Sequence, residues 1–462
     1  MCDEYLILHP ENGGALQLLS SVFLAGKEKD FMEYPNNFTE KNRWIIKVFI
    51  LIRKFFHSIA KPMAKMGFCV EFILNLLSDN GGITGLLRRL LRGEGVIKPK
   101  RGTENFISFI GHLDERLDLN IDGDGAENII KLGSRRCADI CIMASKIAYE
   151  NESVIRNVVT KRWKMHFVEF FNCWNDFLKT KSTQAFIFCD KAEDANVVVI
   201  AFRGTEPFEA DNWSTDFDIS WFKMEPIGRT HLGFLEAMGL ANRSDKQVAE
   251  FHLKHNAINH GWPENVPEDP EKPLAYYAIR NRLLKLLEEH KNAKYIVTGH
   301  SLGGALAVLF PAILLLHRRK RLLDRMLGVY TFGQPRVGDE QMGNYMNKNI
   351  NKPETRYFRV VYCNDMVPRL PCDNKMFMFK HFGACIYYDS CYREKTLEEE
   401  PNRNFSMIHY IPNSINAIWE LIHSLIMGYT KGKDFREGWC GIVFRFVGIV
   451  LPGISAHSPA NY

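Results

Sequence analysis

Between Tyr295 and Gly304 the chain reads Tyr-Ile-Val-Thr-Gly-His-Ser-Leu-Gly-Gly. A β-branched run, then Gly-x-Ser-x-Gly, then an apolar stretch spells strand, tight turn and helix. Serine is a weak nucleophile at neutral pH. To attack a carbonyl it needs an exposed perch, a base at its oxygen and amide donors for the oxyanion. Gly299 and Gly303 let the turn close on Ser301 without Cβ clashes, with His300 and Leu302 on either side of it. The helix that follows points its amino end at the developing charge. The chemistry predicted here is nucleophilic acyl transfer.

On such a scaffold the acid and base follow the nucleophile in the order Ser, Asp, His. Asp365 leaves the apolar run Thr355–Tyr362 at its carboxyl end, where an α/β sheet presents its active site. Asp373, two residues past Pro371, competes from a loop setting. Four histidines lie beyond: His381, His409, His423 and His457. His381 has a strand-like setting close behind Asp365, His423 sits in the apolar helix pattern Ile415–Met427, and His409 has no distinguishing context. His457 occupies a polar loop, a suitable place for a mobile base, but spacing alone leaves the choice open. A second loop, Arg203-Gly204-Thr205-Glu206, follows the strand pattern Ala195–Phe202. One oxyanion donor belongs to the Leu302 amide and another to a loop like this, where Thr205 offers an amide and a hydroxyl. The aromatic, acid-bearing stretch Pro207–Lys223 reads as a lid, apolar underneath when closed.

Further strand patterns at Lys294–Thr298 and Gly328–Phe332, helical spacing over Tyr276–His290 and an apolar helix Gly304–Leu316 complete the alternation. The expected fold class is α/β: a mostly parallel central sheet flanked by helices. Residues 242–273 read as a polar loop insertion. The Asp118-x-Asn120-x-Asp122-Gly123 stretch begins like a calcium loop but has Ile129 where the bidentate acid belongs, so it reads as a solvated turn and no metal site is expected.

The chain has 462 residues, 46% of them hydrophobic and 24% charged, which excludes a mostly disordered or fibrous protein. Its net charge of +5 is too small to argue for nucleic acid. The charge is concentrated: thirteen basic residues face three acidic ones between Lys41 and Arg101. There, residues 41–78 mix aromatic bulk with Lys and Arg, and Pro62 predicts two helices rather than one. The apolar runs are too short for a bilayer span, and the composition suits either helices lying in a membrane interface or two amphipathic helices packed on the body. Eleven cysteines without regular spacing suggest neither zinc nor a disulfide framework, and the acidic first residues do not resemble a secretory leader. A cytosol-facing compartment is expected.

Four segments together resemble the class 3, or fungal-type, lipases: Phe202–Thr205, Thr298–Ala307, Thr331–Gly338 and Asn364–Pro371. The resemblance implies an α/β-hydrolase fold over about 130–462, preceded by a basic, aromatic helical extension over 1–129. It implies Ser301 as nucleophile, Asp365 as orienting acid and Thr205 at the oxyanion position, with Glu206–Lys223 as lid. It favours His457 as base, through a C-terminal His-x-x-x-x-Tyr pattern that here ends at Tyr462. The N-terminal region and the Ala456–Pro459 ending look more narrowly like plant oil-body triacylglycerol lipases. That subgroup implies storage oil as substrate, a lipid droplet or membrane surface as partner, and no cofactor. A phospholipase A1 or galactolipase activity, or a catalytically silent droplet-coat role, are the alternatives; oligomeric state is open.

Overall fold

The computed structural model describes residues 5–12, 31–34, 43–119, 131–254, 262–263, 266, 269–351, 354–373, 378–404, 409–430, 432 and 436–462. Most of the calcium-loop-like turn lies outside them. The described strands are β1 (Tyr5–Leu8), β2 (Met32–Glu33), β3 (His166–Asn175), β4 (Thr180–Cys189), β5 (Val197–Phe202), β6 (Trp221–Met224), β7 (Gly228–His231), β8 (Lys294–His300), β9 (Met326–Phe332), β10 (Tyr357–Tyr362), β11 (Ala384–Tyr388) and β12 (Glu394–Leu397).

Eight of these form one sheet in the order β12-β11-β10-β9-β8-β5-β4-β3. The centre, β5-β8-β9-β10-β11, is parallel, and antiparallel strands close both edges. β5 shows why its sequence is a continuous apolar run. Val198, Ile200 and Phe202 point into a core shared with the helix Leu302–Leu316, while Val197, Val199 and Ala201 pack on the other face with the helix Arg135–Ile147. A strand buried on both sides has no polar face to show. This is the α/β-hydrolase arrangement that the resemblance implies. The polar insertion is less irregular than expected, because Asp245 caps a helix, Lys246–Leu253, whose Ala249 and Leu253 enter the core.

The N-terminal region packs on the body rather than standing apart as an extension, and its helix count departs from expectation. Arg43–Asp79 is a single helix with Pro62 inside it. Proline removes one N–H bond at Ser58, and contacts along the helix offset that loss. Ile46, Phe49 and Ile50 are buried with β1, β2 and Trp221, and Leu74 packs with Ile110 and Leu113. β1 itself pairs antiparallel with β6, so the start of the chain is threaded into a small sheet ordered β2-β1-β6-β7. Beneath that sheet Arg53 reaches Asp218 at 3.0 Å, and Asp218 also holds Arg243 at 2.8 Å, which grips Glu236 at 2.5 Å. Burial pushes the Asp218 carboxyl up, but Arg243 and Arg53 outweigh it and hold it well below the usual carboxylate range.

Removing one member of a buried ion cluster leaves the others uncompensated. Asp218→Asn is expected to cost about 3–5 kcal/mol in urea unfolding at pH 7. A loss below about 1 kcal/mol would show that the cluster does not tie the N-terminal helix to the body.

Candidate active site

β8 ends at His300, and Ser301 turns with φ 58° and ψ −132°, a conformation that non-glycine residues rarely adopt. The turn is pinned by the Ser301 amide donating to the Phe332 carbonyl at 2.9 Å and the Gly304 amide donating to the Ser301 carbonyl at 2.9 Å. A Cβ on Gly299 would lie 2.2 Å from the Gly303 backbone, and one on Gly303 would lie 2.3 Å from the Phe202 carbonyl oxygen. Both positions admit only glycine, and the strained serine follows from them.

The imidazole of His457 arrives from the last turn of the chain. Its Nε2 is 2.8 Å from Ser301 Oγ and its Nδ1 is 2.8 Å from Asp365 Oδ2. A carboxylate can only accept, so Nδ1 carries the proton and Nε2 presents its lone pair to the serine hydroxyl. Asp365 follows β10, as its sequence setting predicts, and is fully buried. Its Oδ1 accepts from the Val367 amide at 2.9 Å, and Oδ2 also accepts from the Tyr462 hydroxyl. Gly333 leaves the room for this meeting: a Cβ there would sit 2.7 Å from Asp365 Oδ2 and 3.0 Å from His457 Nδ1.

His300 does more than flank Ser301. Its Nε2 lies 2.8 Å from the His457 carbonyl, which can only accept, so Nε2 is protonated. Burial, and then His457 itself, push the His300 pKa well below its ordinary value. The ring is therefore neutral, and its Nδ1 accepts from the Tyr149 hydroxyl at 2.8 Å. A neutral His300 holds the His457 loop without placing a second cation against it. Tyr149 carries no sequence signal for this part. Tyr462 and Gly333 do, since one closes the His-x-x-x-x-Tyr pattern and the other sits inside Thr331–Gly338.

The competing residues are engaged elsewhere. His381 donates from Nε2 to the Pro368 carbonyl at 2.7 Å, His423 stacks on Trp419 with ring centroids 6.0 Å apart, and His409 precedes the helix Tyr410–Thr430. Asp373 pairs with Arg403 at 3.1 Å.

Phe202 and Gly299 are paired in the β5–β8 register, so the loop carrying Thr205 leaves the sheet beside the serine turn. The Leu302 amide opens the helix on the other side. Above them a short helix, Ala210–Asp216, covers the site. Trp213 stands edge-on to the His457 ring with centroids 6.4 Å apart, and Ser301 is only 1% exposed. The covering segment is narrower than the stretch read as a lid, because Trp221–Lys223 belong to β6. The long N-terminal helix packs on the outside of this cover. Arg53 Nε donates to Ser214 Oγ at 3.3 Å, Phe56 stacks on Phe217 at 5.4 Å, and a Cβ on Gly67 would overlap the Phe208 side chain.

Asp216 closes the cover on Thr205, whose hydroxyl donates to Asp216 Oδ2 at 3.2 Å. Among the described residues Asp216 Oδ1 has no hydrogen-bond partner. Burial pushes the Asp216 carboxyl up to about 7, against the opposing pull of His457 and Thr205. A raised carboxyl favours its neutral form in the folded state. Its contribution to stability is complete below pH 4 and is lost as pH rises through about 7. Asp216→Asn cannot ionise. It is expected to match the native chain at pH 4 and to exceed it by about 1–4 kcal/mol at pH 8 in denaturant titrations. An equal offset at both pH values would count against a neutral Asp216.

Residues 199–375 match the family described as Lipase (class 3). The sequence is 47% identical to a Nicotiana tabacum protein named Triacylglycerol lipase OBL1, over 98% of this chain and 88% of that protein. It is also 47% identical to the Arabidopsis thaliana protein of the same name, over 99% of this chain and 93% of the relative. A Rhizomucor miehei lipase is 29% identical over 42% of each chain. Among solved structures, lipase II from Rhizopus niveus aligns with a TM-score of 0.39 at 24% identity, covering 56% of this chain and 82% of that one. Identity of this order along nearly the whole length, shared with proteins named as lipases, means that the chain belongs to the class 3 lipase family.

Proposed function

We propose that this protein is a serine-dependent carboxylic ester hydrolase that releases fatty acids from triacylglycerol at a lipid–water interface. The observation that carries it is the hydrogen-bonded line from Ser301 through His457 to Asp365 on a strained turn. The names of the long relatives supply the substrate class. Ser301 Oγ attacks the ester carbonyl while His457 Nε2 takes its proton, and Asp365 holds the imidazole tautomer and faces the imidazolium that forms. The oxyanion lies between the Thr205 loop and the Leu302 amide. Collapse expels the glyceride alcohol, which takes its proton from His457. Water then attacks the acyl-enzyme with His457 as base, giving the fatty acid and restoring Ser301. No step calls on a metal or organic cofactor.

With the cover closed, Ser301 is sealed from bulk water, so the cover must move before a glyceride enters. Lipid contact is the natural trigger, because Trp213, which faces the His457 ring in the closed state, is accommodated against an apolar surface once the cover lifts. The charge distribution supports a droplet or membrane surface, facing the cytosol, as the working place. The helix Gly82–Leu91 has no buried residue, and it interleaves Arg88 and Arg89 with exposed Ile83, Leu87, Leu90 and Leu91. Among the described residues no helix is long and apolar enough to cross a membrane.

Ser301→Ala is expected to lower hydrolysis of emulsified triolein by at least about a thousandfold while leaving the unfolding curve unchanged. Retained turnover overturns the reading. Thr205→Val, which keeps the amide and removes the hydroxyl, is expected to lower kcat about ten- to hundredfold. Purified enzyme is expected to prefer triolein emulsion to phosphatidylcholine vesicles; the reverse preference assigns a phospholipase. Ile83→Ser/Leu87→Ser/Leu91→Ser is expected to weaken flotation with triolein droplets at least fivefold, and unchanged flotation would reject this helix as an anchor.

A further inference from the structure

The C-terminal hairpin formed by the helices Tyr410–Thr430 and Trp439–Val450 is built inside out. On the first helix the exposed side chains include Ile411, Ile415, Ile418, Trp419, Ile422, Leu425, Ile426 and Tyr429, and none that is exposed carries a charge. On the second they are Trp439, Val443, Phe446, Val447 and Val450. The ionic groups lie inside. Glu420 is buried opposite Arg445 at 3.7 Å, and Arg445 donates to Glu437 at 2.7 Å and to Asn461 Oδ1 at 2.9 Å. An ordinary surface helix shows the opposite arrangement, with its apolar stripe on the core and its charges in water.

We infer that this hairpin is a second lipid-docking element, distinct from the basic N-terminal helices, which seats its outer face in the hydrocarbon of a phospholipid-coated neutral-lipid surface. Three features select that occupant. The first is neutrality: a face with no ionised group over about 31 Å, the length of the 21-residue helix, matches hydrocarbon and offers nothing to a charged partner. The second is the border of the face. A protein interface has an apolar centre within a polar rim, but here the ends carry Tyr410, Tyr429 and Trp439, the residues favoured where hydrocarbon meets headgroups. The third is position. Phe444 packs edge-on to Phe109 at 6.1 Å, and Phe109 packs edge-on to Phe208, at the start of the cover, at 5.1 Å. The hairpin therefore flanks the part of the molecule through which lipid must enter. Its second helix, of 12 residues, is about 18 Å long, too short to span a bilayer, so the hairpin lies in the surface rather than across it.

The hairpin also backs onto the catalytic loop. A Cβ on Gly448 would sit 1.9 Å from Ser455 Oγ, and Asn461, held by Arg445, donates to the Ser455 carbonyl at 2.7 Å. The hairpin therefore shares its packing with the turn that carries His457.

The identity of the partner rests on the lipid reading above, so the test reads binding and turnover separately. The full chain carrying Ile415→Ser/Trp419→Ser/Ile422→Ser is floated with phosphatidylcholine-coated triolein droplets and assayed on p-nitrophenyl butyrate in solution. Flotation is expected to fall at least tenfold with butyrate turnover within twofold of the native chain. Flotation within twofold overturns the inference and leaves the hydrolase reading standing. Droplet binding lost in the variant, with no butyrate turnover even in the native chain, leaves the inference standing and overturns the hydrolase reading. Sedimentation tests a second copy of this chain: a native dimer made monomeric by the variant, with flotation unchanged, assigns the face to self-association and overturns lipid docking. The gentler Trp419→Phe/Trp439→Phe keeps the packing, and it is expected to lose at least a third of the fluorescence quenched by brominated phosphatidylcholine in droplet coats. Undiminished quenching overturns the inference.

Discussion

His457 reaches Ser301 only because the final eight residues of the chain are fixed from several directions at once. Its ring must present Nδ1 to Asp365 and Nε2 to the serine, each at 2.8 Å, which leaves no freedom for the loop to wander. Tyr462 bonds the same carboxylate, His300 holds the His457 carbonyl, and Asn461 holds the turn at Ser455. None of these ties is strong alone, since a net hydrogen bond contributes about 1 kcal/mol. Together they hold the imidazole in line with both its partners, as the proposed general-base role requires. The parallel sheet supplies the fixed frame. β8, β9 and β10 place Ser301, Gly333 and Asp365 at the carboxyl ends of neighbouring strands, and the loop after β5 brings Thr205 alongside.

Both ends of the chain thus close on the middle. The start is woven in through β1 and the Arg53–Asp218 pair, and the end through His457 and Tyr462. Between them lies the helix Ala210–Asp216, whose outer side touches the N-terminal helix and whose inner side meets the catalytic loop. A cover clasped in this way opens only when its outer contacts are exchanged for others. The groups that would have to rehydrate include Asp216, which sits neutral at low pH and resists burial once ionised.

The parts of this design that depend on local pattern were readable in the sequence. Gly299 and Gly303, two residues either side of Ser301, announce a tight turn because only glycine fits there, and β5 announces burial because it lacks a polar face. Asp365 was legible from its strand. His457 was not, because four histidines satisfied the order Ser, Asp, His and only long-range folding distinguishes them; family resemblance, rather than spacing, pointed to it. Tyr149 and the hold of His300 on the His457 loop are hidden for the same reason: their hydrogen bonds cross about 150 residues of chain. Pro62 misled because a proline's local cost is visible in sequence, whereas Ile46, Phe49, Ile50 and Leu74, which anchor the helix on both sides of it, find their partners far away. The C-terminal helix was recognised as apolar, but periodicity does not reveal which side faces water.

That last ambiguity has a physical resolution. An amphipathic helix beside a core can turn either face inward, and hydrophobic burial alone would choose the apolar one at roughly 25 cal/mol per Å². The hairpin resists this choice through groups that cannot face hydrocarbon unpaired. Glu420, Arg445 and Glu437 complete one another in the observed orientation, with Gly441 leaving room for the Glu437 side chain and Gly448 letting the second helix lie against Ser455. Rotating either helix would strand a charge, at a cost of several kcal/mol, and drive a Val or Phe against Ser455. Buried ion pairs add little net stability, but they discriminate well between alternatives, and here the discrimination keeps an apolar surface pointing outward. In water such a surface is a liability. Against lipid, its proposed partner, it becomes the favourable side of the balance.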